Sequence, residues 1–249
     1  MAMELGAVGR ALCLMETLSK EKHMNLETIS AKSELPKATA LRILADLVEK
    51  GYVRRDEFDR YSLTLKMFSV GSGAVSNMDM MDCIRIGAER LSSLFEETVH
   101  VGILEDKQAV YIHKKESSYT IRMYSRVGKR IPLYCTAIGK CLLAGMNDND
   151  LNSYLAQTEL RKFTMHTISD ASLLKKEILN VREKGFSTDC EEHEEGIICI
   201  AAPIRDYSGQ TVASMSVSWP KFRLDDIPAK TQAIVRECSE ISTMLGFQA

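Results

Sequence analysis

The sequence predicts an α+β fold in two parts, a mostly helical one first and one of mixed strands and helices after it. Three observations lead there. Short helical periods, separated by a proline break, fill the first fifty residues and end in a hairpin pattern. From Val99 onward, strand patterns appear among helices. The chain has 249 residues and 45% hydrophobic content, enough for two modest cores.

Apolar Leu12, Met15 and Leu18 predict a helix over residues 8–19. Asn25 suits the N-cap of a second helix over 26–33, because its side-chain oxygen accepts from an otherwise unpaired N–H. Glu34, Leu35 and Pro36 break the pattern. The proline ring disfavours a helical Leu35, while its fixed φ suits the start of the next helix. That third helix covers 37–50, with Leu41, Leu44 and Leu47/Val48 on one face and Gly51 closing it. Residues 52–55 and 60–63 flank a polar turn and read as a short β-hairpin.

A connecting helix is expected over 64–80, interrupted by Gly71 and Gly73. A stronger helix over 82–95 carries Ile84, Leu91 and Leu94/Phe95 as its stripe. Strands follow at 99–104, 109–113 and 120–125, then helices at 137–146, 148–157 and 171–184, the last ended by Gly185. Residues 197–204 and 211–219 read as a hairpin around Asp206-Tyr207-Ser208-Gly209, and 228–245 as a final helix. The domain expectation is 1–67 for the first unit, 68–81 for a helical linker and 82–249 for the second unit.

Composition narrows the class. No apolar run approaches the roughly 20 residues that a membrane helix needs, and residues 1–10 contain Glu4 and no apolar block, unlike a secretion signal. Seven scattered cysteines without a CxxC pair fit a reducing cytoplasm better than a disulfide framework. The net charge is −2, and residues 1–67 carry only one more basic than acidic residue, so bulk charge does not announce nucleic acid. The argument rests on where the charges sit.

Two short helices joined by a tight turn, then a hairpin, describe a winged helix-turn-helix. The second helix of such a pair enters the major groove and offers its first residues to base edges. Here those residues are Lys37, Ala38, Thr39 and Ala40, with Arg42 one turn on and no acidic residue before Asp46. Small residues permit close approach, Thr39 can bond a base or a phosphate, and Arg42 has the fork that reads guanine. Arg54, Arg55 and Arg60 of the hairpin suit phosphates. The expected partner is double-stranded operator DNA. The same pattern also suits a metabolite-binding interaction module whose winged helix docks protein.

Six stretches carry a resemblance. They are Leu35-Pro36-Lys37-Ala38-Thr39-Ala40-Leu41-Arg42-Ile43-Leu44, Gly51-Tyr52-Val53, Tyr61-Ser62-Leu63-Thr64, Pro132-Leu133-Tyr134-Cys135-Thr136-Ala137-Ile138-Gly139-Lys140, Asp189-Cys190-Glu191-Glu192-His193-Glu194-Glu195-Gly196 and Cys199-Ile200-Ala201-Ala202-Pro203-Ile204. In order and content they resemble the IclR-type bacterial transcription regulators across both domains. Arg122-Met123-Tyr124-Ser125-Arg126-Val127-Gly128 looks most like the KdgR-like branch, which responds to keto-deoxy sugar acids. The resemblance implies a C-terminal effector domain of GAF/PAS-like shape and a homodimer held largely through the N-terminal half, often paired into a tetramer. It also implies operators near genes of carbon-source breakdown; a repressor is expected, although some relatives activate.

A small organic acid needs N–H donors and a positive field, and a helix start supplies both. Thr136 suits an N-cap, which leaves the N–H groups of Ala137 and Ile138 available. The family's acid-binding loop falls on these two residues. Asp189, Cys199, Ser216 and Ser218 match the family's polar effector contacts, and Met123, Ile131, Leu133 and Ile197 its apolar wall. Ser216 and Ser218, two apart on a strand, face the same side. An ionised Asp189 only accepts hydrogen bonds, so it should meet ligand hydroxyls and not the ligand carboxylate.

Rival constellations carry less. Asp189, His193 and Cys199 resemble a catalytic set, but nothing marks an activated thiolate, and four nearby glutamates oppose one. No metal spacing or phosphate loop occurs, so no enzyme, cofactor or metal is expected. His193 is expected to be solvated in its acidic loop. Trp219 either borders the pocket or closes the hairpin.

Overall fold

A computed structural model of the chain describes residues 6–76, 80–120 and 125–248. It divides into two compact units, Met1–Met78 and Asp79–Ala249.

In the first unit, α1 (Ala7–Ser19), α2 (Leu26–Ser33) and α3 (Lys37–Glu49) pack around a small sheet of β1 (Met24–Asn25), β2 (Val53–Arg55) and β3 (Arg60–Leu63), in the order β1-β3-β2. The Asn25 side chain caps α2 by accepting from the Thr28 N–H at 2.9 Å. Glu34 then takes a left-handed conformation, and Pro36 precedes the first turn of α3. Gly51, at φ 77°, reverses the chain after α3 as a side chain there would not readily do. The core is built from Leu14, Leu18, Met24, Ile29, Ala40, Ile43, Leu44, Val53 and Tyr61.

Three expectations change here. The buried stripe of α3 is Ala40, Ile43 and Leu44 with Leu47 beside it, while Leu41 and Val48 are exposed. In α1, Leu14, Thr17 and Leu18 are buried and Leu12 is exposed. Finally, α4 (Leu65–Ser76) runs through Gly71 and Gly73 without interruption. A glycine lowers helix propensity by about 1 kcal/mol relative to alanine, which a helix of 12 residues absorbs.

The second unit is a six-stranded antiparallel sheet. Its strands are β4 (Thr98–Glu105), β5 (Gln108–Lys115), β6 (Arg130–Ile131), β7 (Ser187–Cys190), β8 (Ile197–Arg205) and β9 (Thr211–Pro220), in the order β6-β5-β4-β9-β8-β7. One face carries α5 (Met80–Phe95) and α9 (Ile227–Met244) over a core of Ile84, Leu91, Ile200, Met215, Val217, Trp219 and Ile241. In α5, Leu94 is exposed while Phe95 packs on that core. The other face carries α6 (Ala137–Ala144), with α7 (Asp148–Gln157) and α8 (Ala171–Lys184) in the same apolar cluster.

Strand alternation divides the residues between these faces. On β9, Met215, Val217 and Trp219 pack with the core under α5 and α9, so Ser214, Ser216 and Ser218 point to the α6 side. Trp219 therefore belongs to that core, its ring 5.5 Å from Phe95, and does not border the cavity. β6 and β7 were not anticipated. Of the expected strand at 120–125, Thr120 and Ser125 lie outside any strand, and residues 121–124 fall outside the described residues.

Candidate functional site

Two surfaces hold the residues singled out by sequence. On α3, Lys37, Ala38 and Arg42 are exposed and Thr39 is half-buried. Ala40 is fully buried in the core, because it lies on the stripe shared with Ile43 and Leu44, so its side chain offers nothing to a groove. Lys37 pairs with Glu27 of α2 at 2.5 Å. Among the described residues, Arg42 makes no hydrogen bond or ion pair, which leaves its guanidinium available. In the hairpin, the Arg54 Nε donates to Ser62, Arg55 pairs with Asp59 at 2.8 Å and Arg60 with Asp56 at 2.9 Å. These exposed pairs are worth little and yield readily to a phosphate.

The second site is a cavity on the α6 face of the larger sheet. It is lined by Ile131, Ala137, Ile138, Asp189, Ile197, Cys199, Ser216 and Ser218, all expected from sequence. Leu133 is fully buried in the cluster beneath α6 and is not among the lining residues, and Met123 lies outside the described residues.

The start of α6 is held tightly. Thr136 caps it, accepting from the Gly139 N–H at 3.2 Å while its own hydroxyl donates to the Pro132 carbonyl at 2.6 Å. The Ser187 hydroxyl of β7 donates to the Ala137 carbonyl at 2.5 Å. The N–H groups of Ala137 and Ile138 have no partner among the described residues, as expected for the first turn. Two glycines set the fit. A side chain at Gly102 of β4 would meet Ile138 at 2.9 Å, and one at Gly139 would meet the Leu133 carbonyl oxygen at 2.3 Å. One turn into the helix, the buried Lys140 bonds Glu192 at 2.5 Å, tying α6 to the acidic loop after β7. Burial works against that ammonium, but Glu192 outweighs it and raises its pKa.

Asp189 is 4% exposed and accepts from the Glu192 N–H at 2.7 Å and the His193 N–H at 3.4 Å. Burial, aided by the Glu192 charge, pushes its carboxyl up to about 7. Near neutrality it is thus divided between an accepting and a donating form, and the expectation drawn for an ionised Asp189 applies to the first of these. Cys199 donates from its thiol to Ser218 Oγ at 3.2 Å. Burial, followed by the Asp189 charge, drives the pKa of this thiol upward, so it is no thiolate.

The structure also brings to the cavity residues that the sequence did not assign to it: His100, Tyr111, Ser125, Lys129, His193 and Glu194. His193, expected to be solvated, is half-buried. It lines the cavity with its ring 5.2 Å from that of Phe163, and burial lowers its pKa. His100 is buried on β4, stacked on Tyr111 at 4.5 Å. Its signal in the sequence is slight: an imidazole within the apolar run Val99, Val101, Gly102, Ile103.

A model of the IclR helix-turn-helix domain matches residues 7–57, and one of the bacterial transcriptional regulator IclR C-terminal domain matches residues 72–243. This chain belongs to the IclR family of bacterial transcriptional regulators. It is 38% identical over 246 residues to the HTH-type transcriptional regulator KdgR of Escherichia coli K12, covering 98% of this chain and 94% of that one. It is 34% identical over 247 residues to the HTH-type transcriptional repressor AllR of the same strain, covering 98% and 91%. The crystal structure of the Thermotoga maritima IclR is 30% identical, with a TM-score of 0.65 over 96% of this chain and 98% of that chain. These relatives are regulators and not enzymes. As an IclR regulator the chain carries a DNA-binding helix-turn-helix in α2 and α3. Among the described residues no helix is long and apolar enough to cross a membrane.

Proposed function

We propose that this IclR regulator is a cytoplasmic repressor of catabolic genes for a carbon source, a sugar acid by the chemistry of its cavity, and that a small hydroxy or keto acid releases it from its operator. Residues 1–67 read DNA through Lys37, Ala38, Thr39 and Arg42, with Arg54, Arg55 and Arg60 on phosphates. Residues 68–81 link, and residues 82–249 hold the effector. A homodimer, or a tetramer of paired dimers, presents two reading heads to a roughly palindromic operator.

The observation that carries the reading is the cavity itself. Ala137 and Ile138, whose N–H groups begin α6, line it together with hydroxyls of Ser216 and Ser218, the Asp189 carboxyl, the Cys199 thiol and the apolar Ile131 and Ile197. Helix-start N–H groups favour a carboxylate, while Ser216, Ser218 and Asp189 suit hydroxyl groups. The names of the relatives agree with repression and with the KdgR branch.

Calorimetric titration with three- to six-carbon hydroxy and keto acids, set against neutral sugars and polyols of the same length, tests it. Acids should bind and the neutral compounds should bind far more weakly. Equal binding of neutral compounds refutes a carboxylate site at Ala137 and Ile138.

A further inference from the structure

The cavity has a second polar end that none of its sequence-matched residues explains. His100 is 3% exposed, and both of its ring nitrogens meet hydroxyls: Nε2 lies 2.7 Å from Ser125 Oγ and Nδ1 lies 3.5 Å from Ser218 Oγ. With the Cys199 thiol on Ser218, a polar chain runs Cys199–Ser218–His100–Ser125 across β8, β9 and β4. The register makes this chain possible, since His100 stands directly opposite Ser216 and Cys199 directly opposite Ser218.

The ring is held at one face and at both nitrogens. Tyr111 stacks on one face, and the Lys114 ammonium donates to the Ser125 carbonyl at 2.9 Å. Burial, then the charges of Lys114 and Lys129, lower the pKa of His100 to about 3. Its imidazole is therefore neutral at any physiological pH and offers one donor and one acceptor.

We infer that His100, whose two ring nitrogens hold the Ser125 and Ser218 hydroxyls, is a positioning residue that with Ser125 sets the reading of hydroxyl groups on an effector chain long enough to reach from Asp189 on β7 to the hydroxyls beside His100 on β4. This rests on the reading of the cavity as an acid sensor and narrows it. The two strands stand three spacings apart, about 14 Å between backbones. A three-carbon acid touches one end of that row. An acid of five or six carbons, hydroxylated along its length, touches both.

The test is calorimetry of the full-length protein with D-gluconate and 2-keto-D-gluconate as long probes and pyruvate as the short one. Wild type should bind at least one long probe more tightly than pyruvate. His100→Phe keeps a ring against Tyr111 but removes both polar atoms. It should weaken the long probe about tenfold, the scale of one lost hydrogen bond to a buried partner, and leave pyruvate within twofold. His100→Asn should recover part of the loss. Ser125→Ala, at a partly exposed position, should weaken the long probe about fivefold even if His100→Phe does not fold. Equal losses for both probes, or none for the long one, overturn the inference. Tight pyruvate binding without long-probe binding also overturns it, while leaving the acid-sensor reading intact. Failure of every acid to bind wild type defeats that reading and the inference together.

Discussion

Asp189→Asn should remove a pH-dependent loss of stability from the second unit. The folded carboxyl titrates at about 7, against 3.8 for an exposed one, and burial is the main cause. The sign follows from linkage. Below pH 3.8 the carboxyl is protonated in both states and nothing is lost. As the pH rises, the unfolded chain ionises first, so stability falls through the window up to about 7 and then levels. The full loss is about 4 kcal/mol, at about 1.4 kcal/mol per pH unit between the two values. Asparagine cannot ionise, yet its side-chain oxygen still accepts from the Glu192 N–H. Urea unfolding of wild type and variant at pH 5 and pH 8 isolates this contribution, because constant offsets cancel. Trp219, the single tryptophan, lies in the core of the same unit and reports its unfolding. The variant's advantage should grow by about 2–3 kcal/mol between the two pH values. Parallel pH profiles refute the argument and return Asp189 to an ordinary carboxylate.

Three further outcomes follow from the geometry. Arg42→Ala should cost about 1–3 kcal/mol of operator affinity and relax preference at one base position, read by gel-shift titration; unchanged affinity and preference exclude Arg42 as a base reader. Gly139→Ala places a methyl 2.3 Å from the Leu133 carbonyl oxygen. Overpacking of this kind costs about 1–3 kcal/mol. It should displace the first turn of α6 and weaken acid binding in calorimetry; wild-type melting and affinity contradict the close packing described for that turn. Gly71→Ala with Gly73→Ala adds methyls into open space on a continuous helix and should stabilise the first unit by about 1 kcal/mol per site. A lower denaturation midpoint argues that the helix is not continuous there.

What was legible in the sequence was local. The Asn25 cap, the break at Pro36, the Thr136 cap and the turn at Gly185 depend on a few neighbouring residues, and the structure places each where the pattern does. The phase of α3 was less legible. Leu41 and Val48 look like core by composition, but the turn before Lys37 rotates Ala40 and Ile43 inward, which also withdraws Ala40 from the DNA-facing set. The far end of the cavity was not legible at all. His100 joins Ser218 only through the pairing of β4 with β9, more than a hundred residues apart, and nothing in either strand alone predicts that pairing. His193 was misjudged for a similar reason, since its burial depends on Phe163 from a separate loop.

The central claim is that acid binding in the cavity controls affinity for DNA. Fluorescence anisotropy of the full-length protein on its own upstream DNA, with and without a saturating acid found by calorimetry, tests it most directly. Linked binding at two sites typically changes affinity by about 5–150-fold, and the same factor must appear when the acid is titrated against the DNA-bound protein. The account predicts weaker operator binding with acid present and the matching loss of acid affinity on DNA. Operator affinity that is identical with and without saturating acid contradicts it.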